Sequence, residues 1–394
     1  MSHTNDYVIR VLQDPTELPA EAWDALVAAS ARPSPFMRHA YLSALLSSGS
    51  ASPATGWAAR FVTLWCASSQ QLLAACPLYL KSHSYGEYVF DWSWAQAYEH
   101  HGLDYYPKGL IAVPFTPVPG TRLLAHSPEA RRALVQTLET LATDWGLSSL
   151  HLLFPDASEH EALQAAGWLP RDGVQFHFHN QRPDGLPYQD LDDMLRHMQQ
   201  EKRKKVRQER RKVQDAGVRC TCRVGRDIRA QDWDFFYRCY ERTYLEHGNP
   251  PYLTSTFFDA MASTMADDWM MVLAHRGDTP IAASLIGLDR ASRVAYGRYW
   301  GCTEAVDCLH FELCYYQPLS WCIDQGYQRF EGGAQGVHKM ARGLLPAPTR
   351  SWHWIADPQF RDAIGRFVVR ESQGMAMHRE ELERHSPMKT PPEH

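Results

Sequence analysis

The sequence contains no run of about 18 apolar residues, so nothing in it reads as a transmembrane segment. Met1–Tyr7 is polar, with neither a basic start nor an apolar stretch, and a secretory leader is not expected; the chain reads as cytoplasmic. Cysteine is sparse and odd in number, nine in 394 residues, which excludes a disulfide scaffold and suits reduced core thiols. Cys220 and Cys222 are one residue apart in a strand-like segment and point to opposite faces. The histidines at 100, 101, 177 and 179 lack zinc spacing with a supporting third ligand, so no metal is expected. Gly-x-Ser-x-Gly, the phosphate loop and the dinucleotide fingerprint are all missing. A formal net charge of −5 gives no reason to expect DNA as a partner.

What remains is an ordinary globular composition, 44% hydrophobic and 22% charged, over a length that calls for two domains. Asp6–Leu12 alternates like a strand, Pro19–Ser30 and Ser34–Ser48 have helical spacing, and Ala59–Cys66 with Leu72–Lys81 reads as a hairpin. Strand Gly109–Pro114, helix Glu129–Gly146, strand Ser149–Phe154, helix Ser158–Gly167 and strand Val174–His179 follow. From Val218 the order restarts, with strand Val218–Val224, helices Ala230–His247 and Thr254–Met265, and strands Met270–Ala274, Ile281–Asp289 and Val294–Tyr299. Helix Leu309–Gln325, strands Gln328–Gly332 and Ser351–Ile355 and helix Pro358–Glu371 complete it. The expectation is an α/β (α+β) chain of two similar domains with mixed sheets flanked by helices. The first spans 1–190 with an aromatic insertion at 83–108, and the second spans 191–394, opened by a basic helix at 191–216.

Three stretches carry chemistry. His83–Tyr98, continuing through Tyr105, Tyr106 and Lys108 to Arg122, is rich in aromatic residues yet contains Glu87 and Asp91. It either packs as a lid or lines an amphipathic cleft, and in a cleft Asp91 is a candidate base with a raised pKa. Glu201–Lys212 holds eight basic residues in twelve. Met194, Met198, Val206 and Val213 make only a sparse apolar stripe, so the run is either a solvated face or a phosphate-binding one. The third stretch comprises Tyr296–Cys302 with Arg298 and Trp300, then Leu309–Tyr316 with His310 and Glu312, then Phe330–Gly343. Its glycines at 332, 333 and 336 let backbone amides approach an oxyanion, Gln335 adds a donor, and His338, Lys339 and Arg342 add positive charge. His310 and Glu312 serve either catalysis or the helix start.

The element order resembles the GNAT acyltransferase fold, its tandem repetition resembles the Fem aminoacyl ligases, and the three stretches together resemble the FemAB-like family of bacterial N-acyltransferases over nearly the whole chain. The resemblance implies two tandem GNAT-like domains and transfer of an acyl or aminoacyl group to a primary amine. The acceptor would be a small molecule, and the co-substrate an acyl-CoA, an acyl carrier protein or an aminoacyl-tRNA, with no tightly bound cofactor. It assigns Arg203, Lys204 and Arg207 of the basic helix to a phosphate-bearing substrate and Lys339 to the donor. Asp91, Glu312, Gln335, His338 and Lys339 are the candidate catalytic residues. Tyr105, Lys108, Arg203, Lys204, Arg207, Tyr296, Arg298, Trp300, His310, Gly333, Gly336 and Arg342 are the candidate binding residues. Two departures stand out. Residues 117–122 and 298–303 each have a single central glycine where acetyl-CoA enzymes have two, and the helical arm of the cell-wall Fem ligases has no matching insertion. The other reading is a non-catalytic protein that recognises a cell-wall or lipid precursor.

Overall fold

The computed structural model describes residues 7–333 and 336–389. The chain forms two compact units, the first running to Gly173 and resuming over Pro348–Ala376, the second formed by Val174–Ala347 and the chain from Met377 onward. In the first unit, β1 (Tyr7–Leu12), α1 (Ala20–Ala29), α2 (His39–Ser47), β2 (Trp57–Cys66) and β3 (Leu72–Lys81) come in order. They lead to α3 (Trp92–His100), β4 (Lys108–Ile111), the short β5 (Leu124–Ala125), α4 (Pro128–Asp144), β6 (Ser149–Leu153) and α5 (His160–Ala165). Ser127 starts α4 by accepting from the Ala130 amide, with Pro128 in the first turn, where its missing N–H costs nothing. Leu134 and Leu138 of that helix are fully buried against the sheet.

β7 (Leu169–His179) carries the chain into the second unit. There α6 (Leu191–Arg196), α7 (Gln200–Asp215), β8 (Val218–Val224), α8 (Ala230–Glu246) and α9 (Ser255–Thr264) precede β9 (Trp269–Arg276), β10 (Thr279–Asp289) and β11 (Val294–Cys302). Next come α10 (Leu309–Phe311), a π-helical turn over Glu312–Tyr316, α11 (Gln317–Asp324), β12 (Arg329–Glu331), β13 (Leu345–Ile355) and α12 (Pro358–Arg384). The basic segment expected as one helix is therefore two, and its apolar residues Met194, Met198, Val206 and Val213 are all buried.

The strands of the two units repeat one pairing pattern. In the first unit β1, β2, β3 and β4 pair antiparallel in turn, β4 pairs parallel with β6, and β6 pairs antiparallel with β13. In the second, β8, β9, β10 and β11 pair antiparallel in turn, β11 pairs parallel with β12, and β12 pairs antiparallel with β7. A helix pair follows the first strand of each set, and a helix links the fourth strand to its parallel partner. The result is a mixed α/β fold of tandem GNAT type with helices flanking its sheets.

In each unit the set of strands is completed by one from a distant part of the sequence. Ser351–Ile355 pairs with Ser149–Leu153 in the first unit, and His177–His179 pairs with Arg329–Glu331 in the second. The expected boundary at 190/191 is thus replaced by two discontinuous units. A strand's own residues specify its faces and not the distant strand it joins. The aromatic insertion, to which the sequence reading assigns no element, contains α3, whose Trp94 and Tyr98 stand four residues apart and are buried.

Candidate active site

In the second unit the parallel strands β11 and β12 pair only over Val294–Tyr296 and Arg329–Glu331. From Gly297 onward β11 continues along β10 alone, and a bulge between Leu285 and Ile286 shifts the register of that pair. The buried Phe330 ring lies against Gly297, with its Cζ 3.0 Å from where a β-carbon would stand, so any larger residue would press on that ring at the point where the strands part. The opening is a cavity of about 320 Å³.

Its strand walls are Ser284–Ile286 and Gly297–Trp300, and its far side is made by His310, Cys314, Tyr315, His338 and Lys339. The helix after β11 reaches the cavity through its π turn. Pro318 has no N–H to offer the carbonyl of Cys314, so the regular α-helical bond is absent there, and Ser284 Oγ donates to the nearby Leu313 carbonyl at 2.7 Å. The continuous helix expected over Leu309–Gln325 is interrupted for this reason.

Lys339 is buried, and its Nζ donates to the carbonyls of Gly332 (2.5 Å) and Gly333 (3.4 Å). Burial disfavours the ammonium and pushes its pKa down to about 8. Burial, with the neighbouring His338, Arg342 and Lys339, pushes His310 down to about 4, and His338 is also lowered by burial and by the same two cations. Both rings are therefore neutral at pH 7. The His338 ring meets the Tyr315 hydroxyl at 3.3 Å, and Trp300 packs edge-on to His310 at 5.2 Å between centroids.

Of the residues expected from sequence, Arg298, Trp300, His310, His338 and Lys339 line this one cavity. Gly333 and Gly336 adopt positive φ of 81° and 108°. Their loop differs from the expectation in one respect. The Gly332 amide donates to Phe176 O at 2.9 Å, and the carbonyls of Gly332 and Gly333 turn to Lys339, so this part of the loop offers acceptors to a lysine and not amides to an oxyanion. Gln335 lies outside the described residues.

Other residues stand elsewhere in the second unit. Tyr296 is buried in β11. Glu312 does not cap its helix; it accepts from Gln317 at 2.7 Å and from Arg210 at 3.3 Å. Arg342 is buried, donates to Glu209 at 2.7 Å and to His338 O at 2.6 Å, and stacks 3.5 Å above the Phe311 ring. It shapes the cavity wall from behind. On α7, Lys204 and Arg207 are exposed and Arg203 is half-buried; Arg207 approaches Asp192 at 3.5 Å.

The remaining three form a buried polar network in the first unit. Lys108 Nζ donates to Ser84 at 2.7 Å, to Glu87 at 2.8 Å and to Asp91, while the Tyr105 hydroxyl donates to Asp91 at 2.6 Å and touches His151 at 3.2 Å. Burial alone would raise Asp91, but Lys108 and His151 outweigh it and hold the acid well below its usual range, against the expectation of a raised pKa. Glu87, which no local pattern separates from Asp91, is the carboxyl that burial pushes up, to about 7. The Lys108 ammonium is shared between two carboxyls, and Asp91, which also receives the Tyr105 hydrogen bond, is the one kept ionised.

Residues 14–390 match the FemAB-like family, described as peptidoglycan biosynthesis/recognition. No curated protein matches the chain in sequence. Among solved structures, FemX is similar at 11% identity over 90% of this chain and 100% of its own, with a TM-score of 0.53. L-PGS from Bacillus licheniformis is similar at 9% identity over 90% of this chain and 98% of its own, with a TM-score of 0.52. A conserved protein of unknown function from Bacteroides thetaiotaomicron is similar at 10% identity over 89% of this chain and 100% of its own, with a TM-score of 0.51. At such identities the likeness is one of fold, and the family match stands on the sequence itself. No helix among the described residues is long and apolar enough to cross a membrane. The sequence match, which takes in almost all of both units, means that the chain belongs to the FemAB-like family.

Proposed function

We propose that the cavity of the second unit is an acyl-transfer site, in which an acyl or aminoacyl group passes from a thioester or ester donor to a primary amine. The observation that carries this reading is the parting of β11 and β12 beside a buried lysine and two neutral imidazoles. Beyond Tyr296 the outer edge of β11 is available to an extended donor arm, which can hydrogen-bond to it as an added strand does. Two N–H groups of the Lys339 ammonium are held by backbone carbonyls, and its third is left to meet the oxygen that becomes anionic when the amine attacks the acyl carbon. Neutral His338 accepts the proton that the attacking amine releases. The bond from the acyl carbon to the leaving oxygen or sulfur then breaks, and the donor departs as the alcohol or thiol by taking that proton back from His338. The acyl-CoA, acyl carrier protein and aminoacyl-tRNA donors implied by the family remain the set to be tried.

Thermal shift and transfer assays with that set, read for His338→Ala and Lys339→Met beside the unaltered chain, test the proposal. Stabilisation and transfer with one donor, lost in both variants, support it. Transfer that survives in both variants rejects the site, and no response to any donor rejects the activity.

A further inference from the structure

A second recess lies in the first unit and shares no lining residue with the cavity just described. One wall is the outer face of α3, where Trp92, Gln96 and Glu99 follow at helical spacing, and the other is the return segment with Leu103, Asp104, Tyr105 and Tyr106. The recess is open and measures about 690 Å³. Its position follows from the two-faced helix. Trp94 and Tyr98 turn inward, where Tyr98 packs at a tilt against Phe360 at 4.0 Å and edge-on to Tyr105 at 5.2 Å, so the opposite face is left uncovered.

The lining has a definite chemistry. Trp92 is 38% exposed and Leu103 45% exposed, and Tyr85 packs edge-on to Trp92 at 4.9 Å and holds its ring in place. Glu99 and Asp104 are exposed carboxylates with no ion-pair partner among the described residues, and no lysine or arginine lines the recess. Beneath it the Lys108 ammonium is matched by the ionised Asp91, while Lys81 and Glu87 stand 4.0 Å apart. Behind the helix, Arg171 lies 5.2 Å from the Trp94 ring and is paired with Glu371 at 2.6 Å. The charge of the recess is therefore set by its two carboxylates.

We infer that this recess binds an alkylammonium group, with the hydrocarbon stem along Leu103 and the aromatic walls and the cationic head between Glu99, Asp104 and the Trp92 face. Aromatic faces attract a cation through their quadrupole, and carboxylates accept its N–H bonds. A neutral alcohol of the same length gains only the apolar contact, and a carboxylate is repelled. This inference does not rest on acyl transfer in the second unit, because binding requires neither donor nor turnover.

The test is calorimetric titration of the full chain at low ionic strength with 1-aminohexane, 1-hexanol and hexanoate. Aminohexane is expected to saturate roughly tenfold more tightly than hexanol, with no saturation by hexanoate. Glu99→Gln with Asp104→Asn, isosteric changes at exposed positions, should bring the amine down to the level of the alcohol. Equal affinity for amine and alcohol, no saturation by the amine, or an amine affinity untouched by the double substitution would each overturn the inference.

Discussion

Lys339 offers the sharpest test, because its burial sets a number. With a pKa near 8, about a tenth of its amines are neutral at pH 7, against about 0.04% for an ordinary lysine, a ratio of a few hundred. The perturbation is a pH series of brief acetylation with an amine-reactive reagent, read residue by residue by mass spectrometry with the denatured chain as reference. Labelling of Lys339 through the cavity should rise with a midpoint near pH 8, about two units below that of an ordinary lysine in the denatured chain. Lys81 is an internal control. Burial pushes it down to about 7, yet it is fully buried against the Trp57 ring and should stay unlabelled until the chain unfolds. The sign of the stability effect is fixed as well. A lysine whose folded pKa is depressed opposes folding most below that pKa and less as the pH climbs from about 8 toward its unfolded value. Lys339→Met should therefore unfold at the same or a higher urea concentration at pH 7. A midpoint near 10.4 would refute the argument, since it would mean that water reaches the amine freely.

Three further outcomes follow from the buried charges. Lys108→Met should lower the stability of the first unit by about 3–5 kcal/mol in urea unfolding, because it leaves Asp91 and Glu87 buried without their cation; adding Asp91→Asn should recover part of the loss. Glu87 keeps its proton to about pH 7 in the folded chain but loses it near its ordinary value when unfolded, so its contribution is greatest below about pH 4.5 and is lost as the pH rises to 7. Glu87→Gln should flatten the stability profile over that window, and an unchanged slope would place the charge on another group. Arg342→Ala should destabilise the second unit by about 3–5 kcal/mol by stranding Glu209, so loss of activity in that variant must be read with its unfolding curve.

Much of the fold was legible because its signals are local. The hairpin of β2 and β3 and the capped, Leu-striped α4 declare themselves through alternation, a serine cap and a four-residue repeat. Five site residues found by chemistry and spacing share one cavity, since they lie at strand ends and on the turns that follow. The π turn was legible only in retrospect through Pro318, and α3 was hidden by aromatic residues that pack in lids as readily as in helices. The roles of Glu87, Asp91 and Arg342 were not legible at all, because a charge's state depends on which opposite charge is buried beside it.

The sequence by itself determined the elements, their repeated order and the residue types available for chemistry, all properties of neighbours along the chain. Tertiary structure decided which strand completes each sheet, which carboxyl keeps its proton and which lysine faces a cavity. Those outcomes depend on pairing and desolvation between residues as far apart as His151 and His353, contacts that no local pattern encodes.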